Sequence, residues 1–133
     1  EALGRSGEDH AVDALFAAVE HGSPVVVIAG LQALGRLCPA GVDRVIDRAL
    51  KHPDTEVVQE AIKAMRCLTK VDTGKRLMVC LEHPAWDVRL AAAEAAQRRR
   101  VDVPQDSLKT LIENETEMLV RTVLEQLVTV VED

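Results

Sequence analysis

Aromatic residues and positive charge are both scarce in this sequence. Among 133 residues there are one Trp, one Phe and no Tyr, so stacking of nucleic-acid bases on aromatic side chains is nearly excluded. The 16 Lys and Arg are outnumbered by 22 Asp and Glu, which gives a net charge of −6. Phosphate contacts need a basic surface that displaces counterions. We therefore expect no nucleic-acid partner.

Long apolar runs are absent as well. The longest, residues 25–31, is far shorter than the roughly 18 residues that a membrane-spanning helix needs, so we expect no membrane segment. The balance of 47% apolar and 29% charged residues is typical of a soluble globular domain with a core of Leu, Val, Ile and Ala. Because the first residue is Glu1 rather than Met, we expect the sequence to be part of a longer protein.

Cysteine is also rare. Cys38, Cys67 and Cys80 are odd in number, sit in apolar surroundings and lack the C-x-x-C spacing of metal and redox sites. We therefore predict three reduced core thiols, no disulfide framework, no zinc site and a cytoplasmic location.

What the sequence does contain is a repeat of 31 residues. Without insertion or deletion, this offset aligns rows of similar residues along the whole chain, which is typical of repeat proteins. Four of the rows are Ala2, Ala33, Ala64 and Ala95; Val26, Val57, Val88 and Leu119; Leu15, Ile46, Leu77 and Leu108; and His21, His52, His83 and Asn114. We predict that residues 1–133 form a single repeat domain within a longer array, with units 2–32, 33–63, 64–94 and 95–125.

Each unit contains two blocks with helical apolar spacing, and turn residues separate the blocks. Prolines stand at or near the first turn of the second block, where the missing N–H costs nothing. We predict first helices at residues 10–21, 42–51, 73–82 and 105–113, second helices at 24–37, 54–69, 85–100 and 115–131, and the end of a further second helix at 1–5. A hairpin this short cannot bury its apolar stripe alone, so the hairpins must stack into a solenoid.

Two segments resemble HEAT repeats. They are Ala33-Leu34-Gly35-Arg36, which closes one second helix, and the segment from Pro84 to Ala93, which opens another. The short period is closest to the HEAT-like repeats of phycobilin lyases. The resemblance implies an all-α fold, an α-α superhelix of four antiparallel helical hairpins plus a partial N-terminal helix.

The sequence departs from the HEAT pattern at two positions. The Asp that these repeats carry before the second helix is replaced by His52, His83 and Asn114, and the Arg after the valine survives only as Arg89. We therefore expect the internal Asp–Arg ladder of such arrays to be mostly absent.

No catalytic constellation is visible, and we predict no cofactor and no metal. The aligned histidines suggest metal ligands, but equivalent atoms of successive hairpins lie about 10 Å apart, whereas ligands lie about 2.0–2.2 Å from the ion. We predict instead that this row, His21, His52, His83 and Asn114, caps the tight turn. Cys80 lies three residues before His83, but it belongs to the buried stripe, so we expect no catalytic thiol.

The one concentrated run of charge is Arg98-Arg99-Arg100, at the end of a predicted helix. Cations there complement the helix dipole, and a contact with an anion or an acidic peptide is the alternative. The two middle units are close to neutral and the outer two are acidic, so the middle is the part most favourable to an acidic partner.

The resemblance to HEAT repeats implies that the second helices line a concave face that binds a partner. Ile28 and Leu90 are apolar at outward positions, which is typical of protein contacts, although wide core stripes are an alternative. The candidate partner-binding residues are Ile28, Gln32, Arg36, Gln59, Lys63, Leu90, Glu94, Arg98 and Arg121.

These features favour a monomeric, non-catalytic scaffold that binds another protein along the second-helix face. An alternative from the family resemblance is a subunit or domain of a bilin lyase-like enzyme, although the lack of aromatic residues to hold a tetrapyrrole counts against it. A further alternative is a structural spacer in a longer solenoid.

Overall fold

The described residues form helices joined by turns, without a strand, which confirms the predicted all-α fold. In the computed structural model, the backbone is described for residues 2–132 and the side chains for residues 9–128. The elements are α1 (Ala2–His21), α2 (Pro24–Leu37), α3 (Val42–Ala49), α4 (Thr55–Ala64), a 3₁₀ turn (Met65–Cys67), α5 (Lys70–Cys80), α6 (Trp86–Arg99), α7 (Gln105–Asn114) and α8 (Met118–Glu132).

Most helix bounds lie close to those expected from the sequence, and α2 has the predicted bounds. The main difference is at the N terminus, where α1 is one continuous helix from Ala2 instead of two helices separated near residues 6–9. This segment contains no proline, so the backbone hydrogen bonds continue through it. At the other end, α8 begins later than predicted because Glu115 has an extended backbone, with φ −76° and ψ 124°.

The helices group into two compact units, residues 1–67 with α1–α4 and residues 68–133 with α5–α8. Within each unit, consecutive helices pack as pairs. The second helix of one pair also packs against the second helix of the next, α2 against α4 and α6 against α8. We call these four the second helices. No described helix is long and apolar enough to cross a membrane.

The first unit has an aliphatic core in which α2 is central. Helix α1 approaches α2 closely at Gly30, where an added Cβ would lie 2.9 Å from Cγ2 of Val19. Glycine therefore permits the contact between these two helices. The largest buried side chains of this unit are Leu31, Leu34, Ile46, Val57, Val58 and Met65.

The core of the second unit combines small residues with leucines. Helix α6 buries Ala92, Ala93 and Ala96, so α5 and α8 can pack closely against it. Leu77, Leu108 and Leu124 fill the remaining space and are almost completely buried.

One predicted core row is wrong at both of its ends. Its two central members are fully buried as predicted, but Val26 is 45% exposed and Leu119 is 58% exposed. The next residues, Val27 and Val120, are buried in their place. Successive residues of a helix point about 100° apart. The repeat alignment therefore predicts each helix but not which members of this row are covered in the first and last pairs.

Two of the three cysteines form a disulfide, so the prediction of reduced core thiols is wrong for Cys38 and Cys67. Cys38 ends α2 in a left-handed conformation, with φ 47°, and Cys67 ends the 3₁₀ turn after α4. Because α2 packs on α4, the two Cα atoms come within 5.2 Å. For Cys80 the prediction is confirmed: it is a buried free thiol, and desolvation raises its pKa to about 11.

Candidate functional site

The capping role is confirmed for two of the three aligned histidines, His52 and His83. It is wrong for His21, which is the exposed last residue of α1 and lies 3.6 Å, Nε2 to Oε2, from Glu20. Nδ1 of His52 accepts the backbone N–H of Asp54 at 3.0 Å. Nδ1 of His83 accepts the backbone N–H of Ala85 at the same distance. Each imidazole thus satisfies a donor in the turn that precedes a second helix.

Glu115, and not Asn114, performs this task in the last pair. Its Oε2 accepts the backbone N–H of Glu117 at 2.9 Å, whereas Asn114 is the last residue of α7 and is exposed. The prediction of a cap at Asn114 is therefore wrong. The reason is that the last turn has shifted by one residue relative to the repeat, since Glu115 stands where the preceding units have proline or glycine.

Glu115 also forms a buried ion pair with Arg89 of α6. The guanidinium donates from Nε to Oε1 at 2.9 Å and from Nη2 to Oε2 at 3.0 Å. The side chains of Arg89 and Glu115 are 16% and 4% exposed. Nη1 of Arg89 further donates to the carbonyl oxygens of His83, at 2.9 Å, and Pro84, at 3.0 Å. The arginine therefore fastens the α5–α6 turn to the turn before α8.

The surroundings of Glu115 stabilise its ionised form. Burial by itself raises the pKa of the carboxyl, but hydrogen bonds from Arg89 and from the backbone N–H of Glu117, with the charge of Arg89, outweigh burial and hold the pKa below its ordinary value. These contacts lie within the second unit, and the ion pair joins its two helical pairs, α5–α6 and α7–α8. The cluster of Arg89 and Glu115 therefore stabilises the fold of the second unit.

A groove between α2 and α4 in the first unit brings several candidate residues together. Its volume is about 460 Å³, and its floor consists of the buried residues Leu31, Gly35 and Ala64. The residues around this floor are Gln32, Arg36, Glu60, Lys63 and Arg66. Three of these five, Gln32, Arg36 and Lys63, are exposed candidate residues from the sequence. We call this site the α2–α4 groove.

Arg66 is the residue of this groove that the sequence reasoning missed. The 31-residue register aligns it with Gly35 and Gln97, which gives no sign of a conserved charge position within the repeat. Its Nε donates to the carbonyl oxygen of Gly35 at 2.6 Å. One signal in the sequence could have identified Arg66: it lies three residues after Lys63, and residues at this spacing share a face of a helical segment.

The candidate residues of the second unit lie on α6 and α8. Glu94, Arg98 and Arg121 are exposed, and Leu90 is half-buried. Arg121 pairs with Glu125 one turn further along α8, with 3.4 Å between Nε and Oε1. Among the described side chains, no hydrogen bond or ion pair joins these four candidates to one another. Gln97 instead links the two helices by donating to Oε1 of Gln126 at 2.9 Å.

The apolar part of the predicted surface is less exposed than expected. Ile28 and Leu90 are half-buried, as is Gln59, so the first two do not form exposed apolar patches. Their side chains pack partly into the core, which agrees with the alternative of wide core stripes. The large exposed apolar residues of the second helices stand mainly at helix starts, namely Val25, Val26, Trp86, Met118 and Leu119.

The arginine run at the end of α6 largely serves the fold. Arg99 donates to Oγ1 of Thr73 at 3.2 Å and to the carbonyl oxygen of Leu68 at 3.1 Å. Arg100 ends the helix in a left-handed conformation, with φ 52°. Arg98 is exposed, and its charge lies in the last turn, where it complements the helix dipole.

The described residues contain no group of three or more His, Cys, Asp or Glu side chains placed to hold a metal ion. The buried thiol of Cys80 is kept in its protonated form by its raised pKa.

Paired helices whose second members pack on one another define the chain as an α-helical repeat protein. A sequence model described as HEAT repeats matches residues 42–128, which is well over half of the chain. The chain therefore belongs to the HEAT-repeat family. No curated protein and no solved structure matches it significantly.

Proposed function

We propose that this chain is a non-catalytic scaffold that binds another protein along the exposed face of its second helices. The observation that supports this most directly is the α2–α4 groove, in which Gln32, Arg36 and Lys63 surround a floor of small and aliphatic residues. HEAT repeats commonly mediate protein–protein interaction, which agrees with the proposal.

The binding surface is preorganised by helix packing. The backbone of each second helix is fixed by its neighbours, so association orders few further groups and loses little conformational entropy. The exposed charged side chains surround the contact and select the partner. The proposed surface includes the remaining candidates on their own helices, namely Ile28, Gln59, Leu90, Glu94, Arg98 and Arg121.

Site-specific cross-linking tests this proposal. A photo-reactive residue replaces Gln32 in one variant and the exposed Lys109 of α7 in a control. We expect one defined protein to cross-link at position 32 in an extract of the producing cells, not at position 109. Lys63→Glu or Arg98→Glu is expected to weaken this capture without lowering the temperature of thermal unfolding. Identical products at positions 32 and 109 would contradict the assignment of the face.

The alternatives from the sequence have gained no support of their own. The family match is to HEAT repeats in general, and the bilin lyase-like alternative depends on repeat length alone. An absorbance change on titration with a bilin would favour that enzyme class. A spacer role would be favoured if no second-helix position captured a protein.

The molecule is proposed to act as a monomer and as one domain, as the sequence suggests. The predicted cytoplasmic location now has an observation against it, because disulfides such as Cys38–Cys67 persist mainly in oxidising compartments. A thiol count on protein isolated and unfolded without reductant distinguishes the two cases. One reactive thiol per chain indicates an oxidised disulfide, and three indicate the reduced form.

A further inference from the structure

The α2–α4 groove carries an excess of positive charge on an acidic chain. Arg36, Lys63 and Arg66 supply three cations, and Glu60 is the one acidic residue among the groove's lining residues. Glu60 is engaged by Lys63, with 3.4 Å between Oε2 and Nζ. The complete sequence has a net charge of −6, so the groove differs in the sign of its charge from the chain as a whole. Such a local field attracts an anionic ligand and repels cationic ones.

Two of these cations have unused capacity to bind a ligand. Arg66 donates from Nε to the carbonyl of Gly35, and its terminal nitrogens have no hydrogen-bond partner among the described residues. Arg36 is exposed and likewise forms no ion pair with any described side chain. A guanidinium whose orientation is already fixed loses less rotamer entropy when it binds a carboxylate in a bidentate manner.

The two walls of the groove are tied together covalently at one end. Cys38 lies two residues after Arg36, and Cys67 directly follows Arg66. The disulfide between them holds the ends of the two walls together. The spacing of the backbone at Arg36 and Arg66 is therefore set before any ligand arrives, which is a preorganised arrangement.

The floor of the groove allows a polypeptide to approach closely. Gly35 has no side chain and Ala64 has a single methyl group, and both residues are buried at the bottom of the groove. Long side chains rise on both sides of this low floor. Gln32, at the side of the groove, offers both an amide donor and a carbonyl acceptor for a peptide backbone.

The cations are distributed along the groove instead of converging on one point. Lys63 and Arg66 are three residues apart, which corresponds to about 4.5 Å along a helical segment. Arg36 stands on the opposite wall. Alternate side chains of an extended chain are about 6–7 Å apart on one face. Cations on both walls can therefore each receive a separate carboxylate of an extended peptide.

We propose that the α2–α4 groove is the docking site for an extended acidic segment of the partner protein, whose Asp or Glu carboxylates lie against Arg36, Lys63 and Arg66. This inference rests on the proposed scaffold function and specifies the chemistry of the partner. The backbone of the segment lies over Gly35 and Ala64, and Gln32 bonds to it.

An array of labelled 12-residue peptides tests the proposal. Its members differ in the number and spacing of Glu residues on a Gly/Ser background, and each has a counterpart with Gln at every Glu position. We expect the best Glu peptide to bind at least about tenfold more tightly than its Gln counterpart, which corresponds to about 1.4 kcal/mol. Fluorescence anisotropy measures the dissociation constants with the intact chain in its oxidised form.

Matched substitutions separate the groove from net charge. Arg36→Gln, Lys63→Gln and Arg66→Gln are each expected to weaken binding about tenfold, because each removes a charge-assisted hydrogen bond. Arg44→Gln and Lys51→Gln change the net charge equally at exposed positions outside the groove and are expected to have no such effect. Unchanged thermal unfolding confirms that the variants are folded.

The proposal is overturned if no Glu peptide binds better than its Gln counterpart, or if the groove and control substitutions have equal effects. Displacement of the peptide by inorganic phosphate, at a concentration at which acetate has no effect, would assign the groove to phosphate instead. The scaffold function is judged separately. A partner captured at position 32 whose binding is insensitive to Arg36→Gln and Arg66→Gln contradicts the acidic segment but leaves the scaffold intact.

Discussion

Arg89→Met is expected to destabilise the second unit strongly, because it leaves the buried carboxylate of Glu115 without its cation. Arg89 and Glu115 share two hydrogen bonds at 2.9 Å and 3.0 Å. Removing one partner of a buried ion pair costs about 3–5 kcal/mol of the free energy of unfolding. The total stability of a native domain is about 5–15 kcal/mol, so a loss of this size is readily measured.

A double-mutant cycle isolates the interaction between the two side chains. Glu115→Gln keeps the shape of the side chain and an acceptor for the N–H of Glu117, so we expect a smaller loss of about 1–3 kcal/mol. The double variant Arg89→Met/Glu115→Gln removes both charges together. An apolar side chain is accommodated in the other repeats, where positions 27, 58 and 120 carry buried valines.

The expected result is a loss in the double variant that is smaller than the sum of the single losses by about 1–3 kcal/mol. Urea unfolding followed by far-ultraviolet circular dichroism measures each free energy, and equal m-values show that the denatured states are comparable. Additivity of the two losses to within about 0.5 kcal/mol would refute the reasoning. The two side chains would then contribute to stability independently of one another.

Three further predictions concern pH, the disulfide and the corrected core row. Because the pKa of Glu115 is lowered in the folded protein, the contribution of its charge to the unfolding free energy is complete above the ordinary Glu pKa of about 4.3 and is lost as the pH falls through the lower folded pKa. The difference in unfolding free energy between the wild type and Glu115→Gln should therefore shrink as the pH falls below about 4.3, and a pH-independent difference would be inconsistent with this. The double variant Cys38→Ser/Cys67→Ser is expected to lower the free energy of unfolding in urea by about 3.6 kcal/mol, which is the chain-entropy value for a loop with a sequence separation of 29. No loss of stability would mean that the disulfide is not formed. Val27→Ala is expected to lower the free energy of unfolding by about 2–3 kcal/mol, and Val26→Ala by less than about 0.5 kcal/mol. Thermal unfolding that ranks the two variants in the opposite order would mean that Val26, and not Val27, is the core residue.

The sequence predicted the helices well because their apolar spacing and their prolines are local signals. The bounds of α2 and the capping roles of His52 and His83 could be predicted from neighbouring residues and the repeat alone. Three of the nine candidate residues, Gln32, Arg36 and Lys63, lie around one groove in the structure, but the sequence did not predict the groove itself. The signals that predict the helices and the capping histidines lie within one helical turn or recur at the fixed offset of 31 residues.

Tertiary packing decided the features that depend on how one helix is rotated or staggered against another. The repeat alignment could not show that Val26 is exposed whereas the equivalent Val57 is buried, since burial depends on the helices that lie beside each residue. It could not pair Cys38 with Cys67, because their separation of 29 differs from the repeat of 31 and arises from the stagger of α2 on α4. The alignment also missed Glu115 and Arg66, because each forms its hydrogen bond with a different helix of its own unit: Glu115 with Arg89 of α6, and Arg66 with the carbonyl oxygen of Gly35 in α2. Local sequence thus determined which segments are helical and how they alternate, and only the contact between helices determined which side chains meet.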